Sequence, residues 1–322
     1  MTFAISALKY PLLLALCAGV VSGCTVLKAE HREARAEARY PPTGTMVTLA
    51  DGPHAGQIVH VKVEGPEDAP QIVLIHGASG SLRDMTFRLA PALVEDHRLF
   101  IVDRPGFGYS QPMEDDSIFQ QAAVLRQAVD QLGAKTPMVL GHSYGGAVAL
   151  AWATQAPDSL SSLVLLSAAS QTWEGDLPWL YKLTAPPLGQ TLAVPLITAW
   201  APESAVTSAV EEVFEPEAMP DGYIAHFGPD MTLRRVTMRA NARQRAHLKA
   251  EIAQMVPDYG KVSVPVELLH GDQDTTVGLE IHSRPTARAL PHARLTVLKG
   301  AGHMIEQTRV PDVLEAIKRL EN

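Results

Sequence analysis

The chain has 322 residues, with 35 acidic and 27 basic side chains for a formal net charge of −8, 46% hydrophobic residues and 19% charged ones. That is globular composition, which excludes wholesale disorder, collagen and coiled coil, and the length allows one large domain with an insertion or two small ones. The acidic balance argues against a nucleic-acid partner, since a phosphate backbone needs clustered Lys and Arg, and the only cysteines, Cys17 and Cys24, leave the rest of the chain without a disulfide, a thiol nucleophile or a Cys-ligated metal.

Residues 1–23 read as an export signal. Lys9 is the only charge before the apolar run Pro11 to Val21, which falls short of the ~20 apolar residues of a spanning helix and fits the hydrophobic region of a signal peptide. The run ends in Val21-Ser22-Gly23-Cys24. This resembles the lipobox of bacterial lipoproteins: an aliphatic residue, two small residues, then the cysteine that is lipidated and becomes the mature N-terminus. The resemblance implies an exported protein held to a membrane through acylated Cys24. Thr25 is not the Asp that commonly retains such proteins on the inner membrane, so the periplasmic face of the outer membrane is expected.

Residues 24–44 read as a polar tether. Ala, Glu and Arg favour helix up to the stop at Pro41-Pro42. Lys28, Arg32, Arg35 and Arg39 share one helix face, and Glu30, Glu33 and Glu37 fall roughly opposite. With no apolar stripe, the segment is expected to be a solvated spacer, or to lay its basic face on anionic headgroups.

The body of the chain begins with a hairpin. Met46 to Leu49 and Ile58 to Val63 flank a Gly/Pro-rich turn, and Val59, Val61 and Val63 alternate with polar residues. The pattern then changes to continuous apolar runs at Ile72–Ile75, Leu99–Val102, Met138–Leu140, Leu163–Leu166, Val264–Leu269 and Leu295–Leu298. Such runs suit strands buried on both faces, as in a parallel sheet. Helices are expected from Ser117 to Gly133, from Gly145 to Ala156, and over 279–290 and 306–320. Pro91 makes a straight helix after Asp84 uncertain. The alternation predicts an open α/β sheet. It fails over 170–261, where Trp173, Trp179, Tyr181, Trp200, Phe214, Tyr223 and Phe227 accompany many prolines. That stretch is expected to be a helical cap inserted into a core made of 45–169 and 262–322.

The strand at Met138–Leu140 runs into Gly141-His142-Ser143-Tyr144-Gly145 and then a helix. This is G-x-S-x-G in the strand–turn–helix context that lifts a serine above a sheet edge. A serine hydroxyl needs a base, and in this arrangement the acid and the histidine follow it in the chain. Asp274 follows the run ending at Leu269, and His303 the run ending at Leu298. Both therefore sit at the carboxyl edge, where ligands of open sheets collect. Asp272 is a rival acid that more readily shapes its turn. His142, His270, His282 and His292 are rival bases placed in the elbow, at a strand end, in a helix and at the wrong edge. The oxyanion donors are expected to be the N–H of Tyr144 and, from the loop His76-Gly77-Ala78-Ser79-Gly80, that of Ala78.

His76-Gly77-Ala78, Asp103-Arg104-Pro105-Gly106-Phe107-Gly108-Tyr109-Ser110, Gly141–Gly145, Gly271–Asp274 and Gly300–His303 together make the chain from about Met46 to Leu320 similar to the α/β-hydrolase superfamily. The resemblance implies a mostly parallel eight-stranded sheet with a cap after strand six, a Ser143–Asp274–His303 triad, and neither metal nor organic cofactor. Ser143 departs from the branches that use Asp as nucleophile. The expected activity is hydrolysis of carboxylic esters. Thioester, lactone, amide or C–C bonds and haloperoxidase-like chemistry stay open on the same fold, as does a non-catalytic binding lipoprotein. With no Lys or Arg between Trp173 and Trp179, and Arg234, Arg235, Arg239, Arg243 and Arg245 on what reads as a basic surface helix, the substrate is expected to be a small uncharged ester whose acyl group meets cap aromatics.

Overall fold

Each continuous apolar run becomes a strand of one eight-stranded sheet. The computed structural model describes residues 2–321, with side chains from residue 19 onward. The strands are β1 (Thr45–Thr48), β2 (Ile58–Glu64), β3 (Gln71–Ile75), β4 (Arg98–Val102), β5 (Met138–His142), β6 (Ser162–Leu166), β7 (Val266–Gly271) and β8 (Ala293–Leu298). Their order is β1-β2-β4-β3-β5-β6-β7-β8. β1 pairs antiparallel with β2, and β2 with β4; all other pairs are parallel. Ile75 lies opposite both Val102 and Gly141, and Gly141 opposite Leu165, so the carboxyl ends of the central strands reach one edge together.

Strand residues divide by parity between two cores. Val73, Ile75, Phe100, Val102, Val139, Leu163 and Leu165 share one cluster with α4 (Ile118–Gln131) and α5 (Tyr144–Gln155). Ile72, Leu74, Leu99, Ile101, Leu140, Val164 and Leu166 share the other with α2 (Leu82–Met85), α3 (Leu89–Leu93) and α14 (Val310–Glu321). Burial on both faces is why these runs do not alternate. The stretch after Asp84 forms two short helices rather than one straight helix. The single helix expected over 306–320 is split into α13 (Ile305–Thr308) and α14, with Pro311 in the first turn of α14, where its missing N–H costs nothing. α12 (Ser283–Ala289) starts late because Gly278 first closes a turn, accepting from Ile281 and His282.

Between β6 and β7 the chain leaves the sheet and builds α6 (Trp179–Thr184), α7 (Pro187–Trp200), α8 (Glu203–Phe214), α9 (Tyr223–Phe227), α10 (Pro229–Thr232) and α11 (Arg235–Met255). The last half of α11 is not peripheral: Leu248, Ile252 and Met255 join the larger core.

The expected solvated spacer is instead a docked helix. α1 spans Thr2–Arg39 without a break and packs on α7 and α10. Thr25, Ala29, Ala36 and Tyr40 are buried, at spacings of 4, 7 and 4 that place them on one face. Glu33 receives the backbone N–H of Arg235 at 2.7 Å and its guanidinium at 2.7 and 2.9 Å. Burial alone would raise the Glu33 carboxyl, but the bonds from Arg235 outweigh it and hold the group below its ordinary range. Glu37 pairs with Arg234 at 3.0 Å, and Arg32 donates to the Ala201 carbonyl at 2.7 Å. Up to Tyr40 the stripe is alanine and threonine, so within the helix it carries almost no hydropathy signal. Among the described residues, no helix is long and apolar enough to cross a membrane. Most of the apolar run 11–21 lies outside the residues whose side chains are described.

Candidate active site

Ser143 sits between the last residue of β5 and the first of α5 with φ 54° and ψ −118°. A non-glycine residue in this left-handed region stores of the order of 1–3 kcal/mol. The surroundings enforce it. A Cβ on Gly141 would overlap the Gly145 carbonyl, and one on Gly145 would overlap the carbonyls of Ile75 and His76. The Ser143 N–H donates to Leu166 O at 2.9 Å, and its carbonyl accepts from Ala169 at 3.1 Å. Its side chain lines a cavity of about 430 Å³ between sheet edge and cap.

Asp274 and His303 meet behind that cavity. His303 Nδ1 lies 2.7 Å from Asp274 Oδ2, which leaves Nε2 as the nitrogen not engaged by the carboxylate. The other oxygen, Oδ1, accepts the backbone N–H groups of Thr276 and Val277 at 2.9 and 2.8 Å. Burial works to raise the Asp274 carboxyl. The bonds from His270, His303 and Val277 overcome it and hold the group far below the usual carboxylate range, so it is charged. His303 lines the cavity with Ser143.

The rival residues have other partners, although His270 shares Asp274 with His303. Asp272 Oδ1 accepts the Gly300 N–H at 2.7 Å, joining the two loops that follow β7 and β8. His270 Nδ1 contacts Ser283 Oγ at 2.6 Å, and its Nε2 lies 2.7 Å from the Val277 carbonyl and 3.2 Å from Asp274 Oδ2, so it supports the acid and does not line the cavity. His282 accepts from Ser170 and Gln171, and burial pushes it down to about 4. His142 does line the cavity, but burial and the neighbouring His303 hold it well below its ordinary value, and thus neutral. His292 is exposed, before β8.

Ala78 lines the same cavity, on the loop after β3. Tyr144 opens α5, and the first N–H groups of a helix have no carbonyl within it to bond. The loop carrying Ala78 is held by residues that sequence reasoning missed. Arg104, completely buried, donates through Nε to His76 O and through Nη2 to Gly77 O, both at 3.0 Å. Its Nη1 reaches Gln121 and Gln244 at 2.9 and 2.7 Å, and its guanidinium lies over the Tyr144 ring. Burial lowers Arg104 to about 10, which leaves it charged. Burial likewise lowers His76 to about 3, so its neutral Nε2 accepts the Arg104 backbone N–H. From the cap, Asn241 Nδ2 donates to Ser79 Oγ at 2.8 Å and Thr232 Oγ1 to Ser79 O at 3.1 Å, beside the strained Ser79 backbone at φ 57°.

A second buried polar group adjoins the site. Asp84 accepts from Tyr223 OH at 2.7 Å and from Gln307, and burial raises it to about 6. Glu306 lies 3.3 Å from His142 Nε2, and burial raises its carboxyl well above the ordinary value. Asp84, His142 and Glu306 offer ligand atoms within 4.8 Å of one another. Both acids are pushed toward their neutral forms, which are weak ligands for a cation.

Two expectations about the cap need correction. The aromatic lining is not tryptophan: Trp179 and Trp200 are 74% and 55% exposed, and Trp173 packs on the main core. The cap aromatics that do line it are Tyr181, Tyr223 and Phe227, beside aliphatic residues such as Leu180, Ile197 and Met238 and the polar Asn241 and Arg245. Nor is α11 with its approach a basic surface helix. Arg234 is buried and bonds Glu37 and Gly108, Arg235 holds Glu33, Arg243 pairs with Asp116, and Arg245 lines the cavity over the Tyr181 ring. Sequence periodicity could not show this, because the charges these arginines meet come from α1 and the core.

The family model for the α/β hydrolase fold matches residues 70–306. A Pseudomonas savastanoi protein provisionally named carbamate hydrolase RutD is 32% identical over 249 residues, covering 73% of this chain and 87% of its own. A pimeloyl-(acyl-carrier protein) methyl ester esterase of Neisseria meningitidis is 31% identical over 246 residues, covering 74% of this chain and 88% of its own. Among solved structures, an α/β hydrolase fold protein from Burkholderia ambifaria superposes with a TM-score of 0.68 at 22% identity, over 85% of this chain and 98% of its own. The chain belongs to the α/β-hydrolase fold family. Within it, the relatives it is similar to include an esterase and a protein assigned to carbamate hydrolysis.

Proposed function

We propose that the protein is a serine hydrolase of carboxylic esters, acting through an acyl-enzyme. The observation that carries this reading is the charged Asp274 bonded to His303 Nδ1 beside a cavity that also holds Ser143. In this scheme His303 Nε2 takes the Ser143 proton as Oγ attacks the ester carbonyl, then gives it to the leaving alkoxide. It next activates water to release the acid. Asp274 fixes the ring's orientation and stabilises its cation. The N–H groups of Ala78 and Tyr144 receive the oxyanion, a role in which one donor is typically worth ~10²–10³ in turnover.

The apolar walls suit an aliphatic acyl group of short to medium length, each buried methylene adding ~0.8 kcal/mol until the chamber is full. Among the described residues, Arg245 is the only lysine or arginine in the lining, which supports an uncharged ester. Cys24 is exposed on α1, open to acylation, and we take it as the lipid anchor of an exported protein on the periplasmic face of the outer membrane. The test is active-site labelling. A fluorophosphonate should label the parent at Ser143 and block hydrolysis of p-nitrophenyl butyrate, while Ser143→Ala stays folded, unlabelled and slower by ~10³ or more. A Ser143→Ala variant within tenfold of the parent would sink the assignment.

A further inference from the structure

We infer that the outer face of α6 and α7 is a bilayer-docking surface, through which apolar esters pass from membrane lipid into the chamber. Trp179, Leu183, Leu188, Leu192, Leu196 and Trp200 are all between 47 and 74% exposed. Leu188, Leu192, Leu196 and Trp200 recur every fourth residue, so they form a single stripe along α7. Between Trp179 and Trp200 the only charged residue is Lys182. Scattered exposed leucines are ordinary, but a contiguous apolar stripe that ends in a tryptophan marks an interaction surface.

The occupant is indicated by what adjoins the stripe. Trp200 Nε1 donates to Thr25 Oγ1 at 3.3 Å, and Lys28 Nζ lies 3.5 Å from the Trp200 ring centroid. The stripe therefore runs into the part of α1 where Val26 and Leu27 are also exposed, one residue on from Cys24 at its Thr25 contact. A lipid anchor at Cys24, exposed apolar side chains beside it and a cation over a tryptophan are what an interfacial helix presents to lipid.

The inner faces of the same two helices supply Leu180, Tyr181, Thr184 and Ile197 to the chamber, whose lining also includes Ala201 and the exposed Ala205 and Ala209 of α8. The chamber thus reaches the surface just beyond Trp200. An ester partitioned in the bilayer would reach Ser143 without crossing water. This delivery step rests on the ester-hydrolase reading; the docking surface does not.

The experiment uses the full chain with phosphatidylcholine/phosphatidylglycerol vesicles whose acyl chains are brominated. Tryptophan emission should fall at least twofold, and the loss should vanish in Trp179→Phe/Trp200→Phe. Leu188→Glu/Leu192→Glu should hydrolyse p-nitrophenyl decanoate in vesicles at least tenfold more slowly than the parent, with aqueous p-nitrophenyl acetate within twofold. Co-flotation with vesicles but no quenching would overturn the docking surface. So would a dimer in detergent that the two Leu→Glu changes split, since a second copy would then cover the face. An equal loss on both esters would overturn the delivery step. Quenching in a parent that hydrolyses neither ester upholds the surface and overturns the ester reading instead.

Discussion

Asp272 and Asp274 stand two residues apart and are bound into different structures. Asp274 faces His303 and is held charged, whereas Asp272 ties Gly300 to the loop after β7. Asp274→Asn should lower kcat by ~10³–10⁴ by favouring the wrong imidazole tautomer. Asp272→Asn keeps an oxygen able to accept the Gly300 N–H and should stay within tenfold. If steady-state kinetics rank the two variants the other way, the acid is misassigned. The positions of Ser143, Asp274 and His303 were legible because each follows a continuous apolar run, and parallel strands bring such ends to one edge. Asn241, Gln244 and Arg245 were not, because what they touch depends on how α11 lies across the sheet, which no local pattern encodes.

At the scale of elements, the strands were read to within two residues at each end, while the helices slipped wherever proline or glycine redirected the chain, as at Pro311 and Gly278. The largest misreading was α1, whose buried face is alanine and threonine. Such a face packs by closeness rather than by hydrophobic area, so there is no room for a larger side chain. Ala36, buried against Tyr40 and Met231, gives a direct test. Ala36→Leu overpacks that contact, at a typical cost of ~1–3 kcal/mol, and should loosen the helix locally. Trypsin cleavage after Arg35 and Arg39 should then accelerate at least tenfold with the core still intact. Unchanged digestion would mean that α1 is not seated through this face.

For the whole molecule, one buried acid links the cap segment to the core. Glu251 of α11 accepts the Ile118 N–H at the start of α4 at 3.1 Å. Burial, with Asp116 and Asp115 nearby, raises it from 4.5 to about 7, against the smaller opposing effect of that N–H. A folded-state value above the unfolded one favours the neutral acid. Its contribution to stability is therefore complete below pH 4.5 and is lost as pH rises through about 7. Glu251→Gln keeps an acceptor and removes the titration. The fall in Tm between pH 5 and pH 8 should be smaller in this variant than in the parent, and equal falls would show that Glu251 is not the group responsible.

The docking of α1 also sets an order of events in time. Its partners Ala201, Arg234 and Arg235 lie 169, 197 and 202 residues away from the side chains that meet them. At ~5–20 residues per second of synthesis, the first helix made would wait roughly 10–40 s for the last of its seats to exist. During that interval the chain's own fold cannot hide the segment, so any factor that recognises an apolar N-terminus has it without competition. The far separation of the seat from the helix thus works as a delay, keeping recognition of the leader ahead of the docking of the helix behind it.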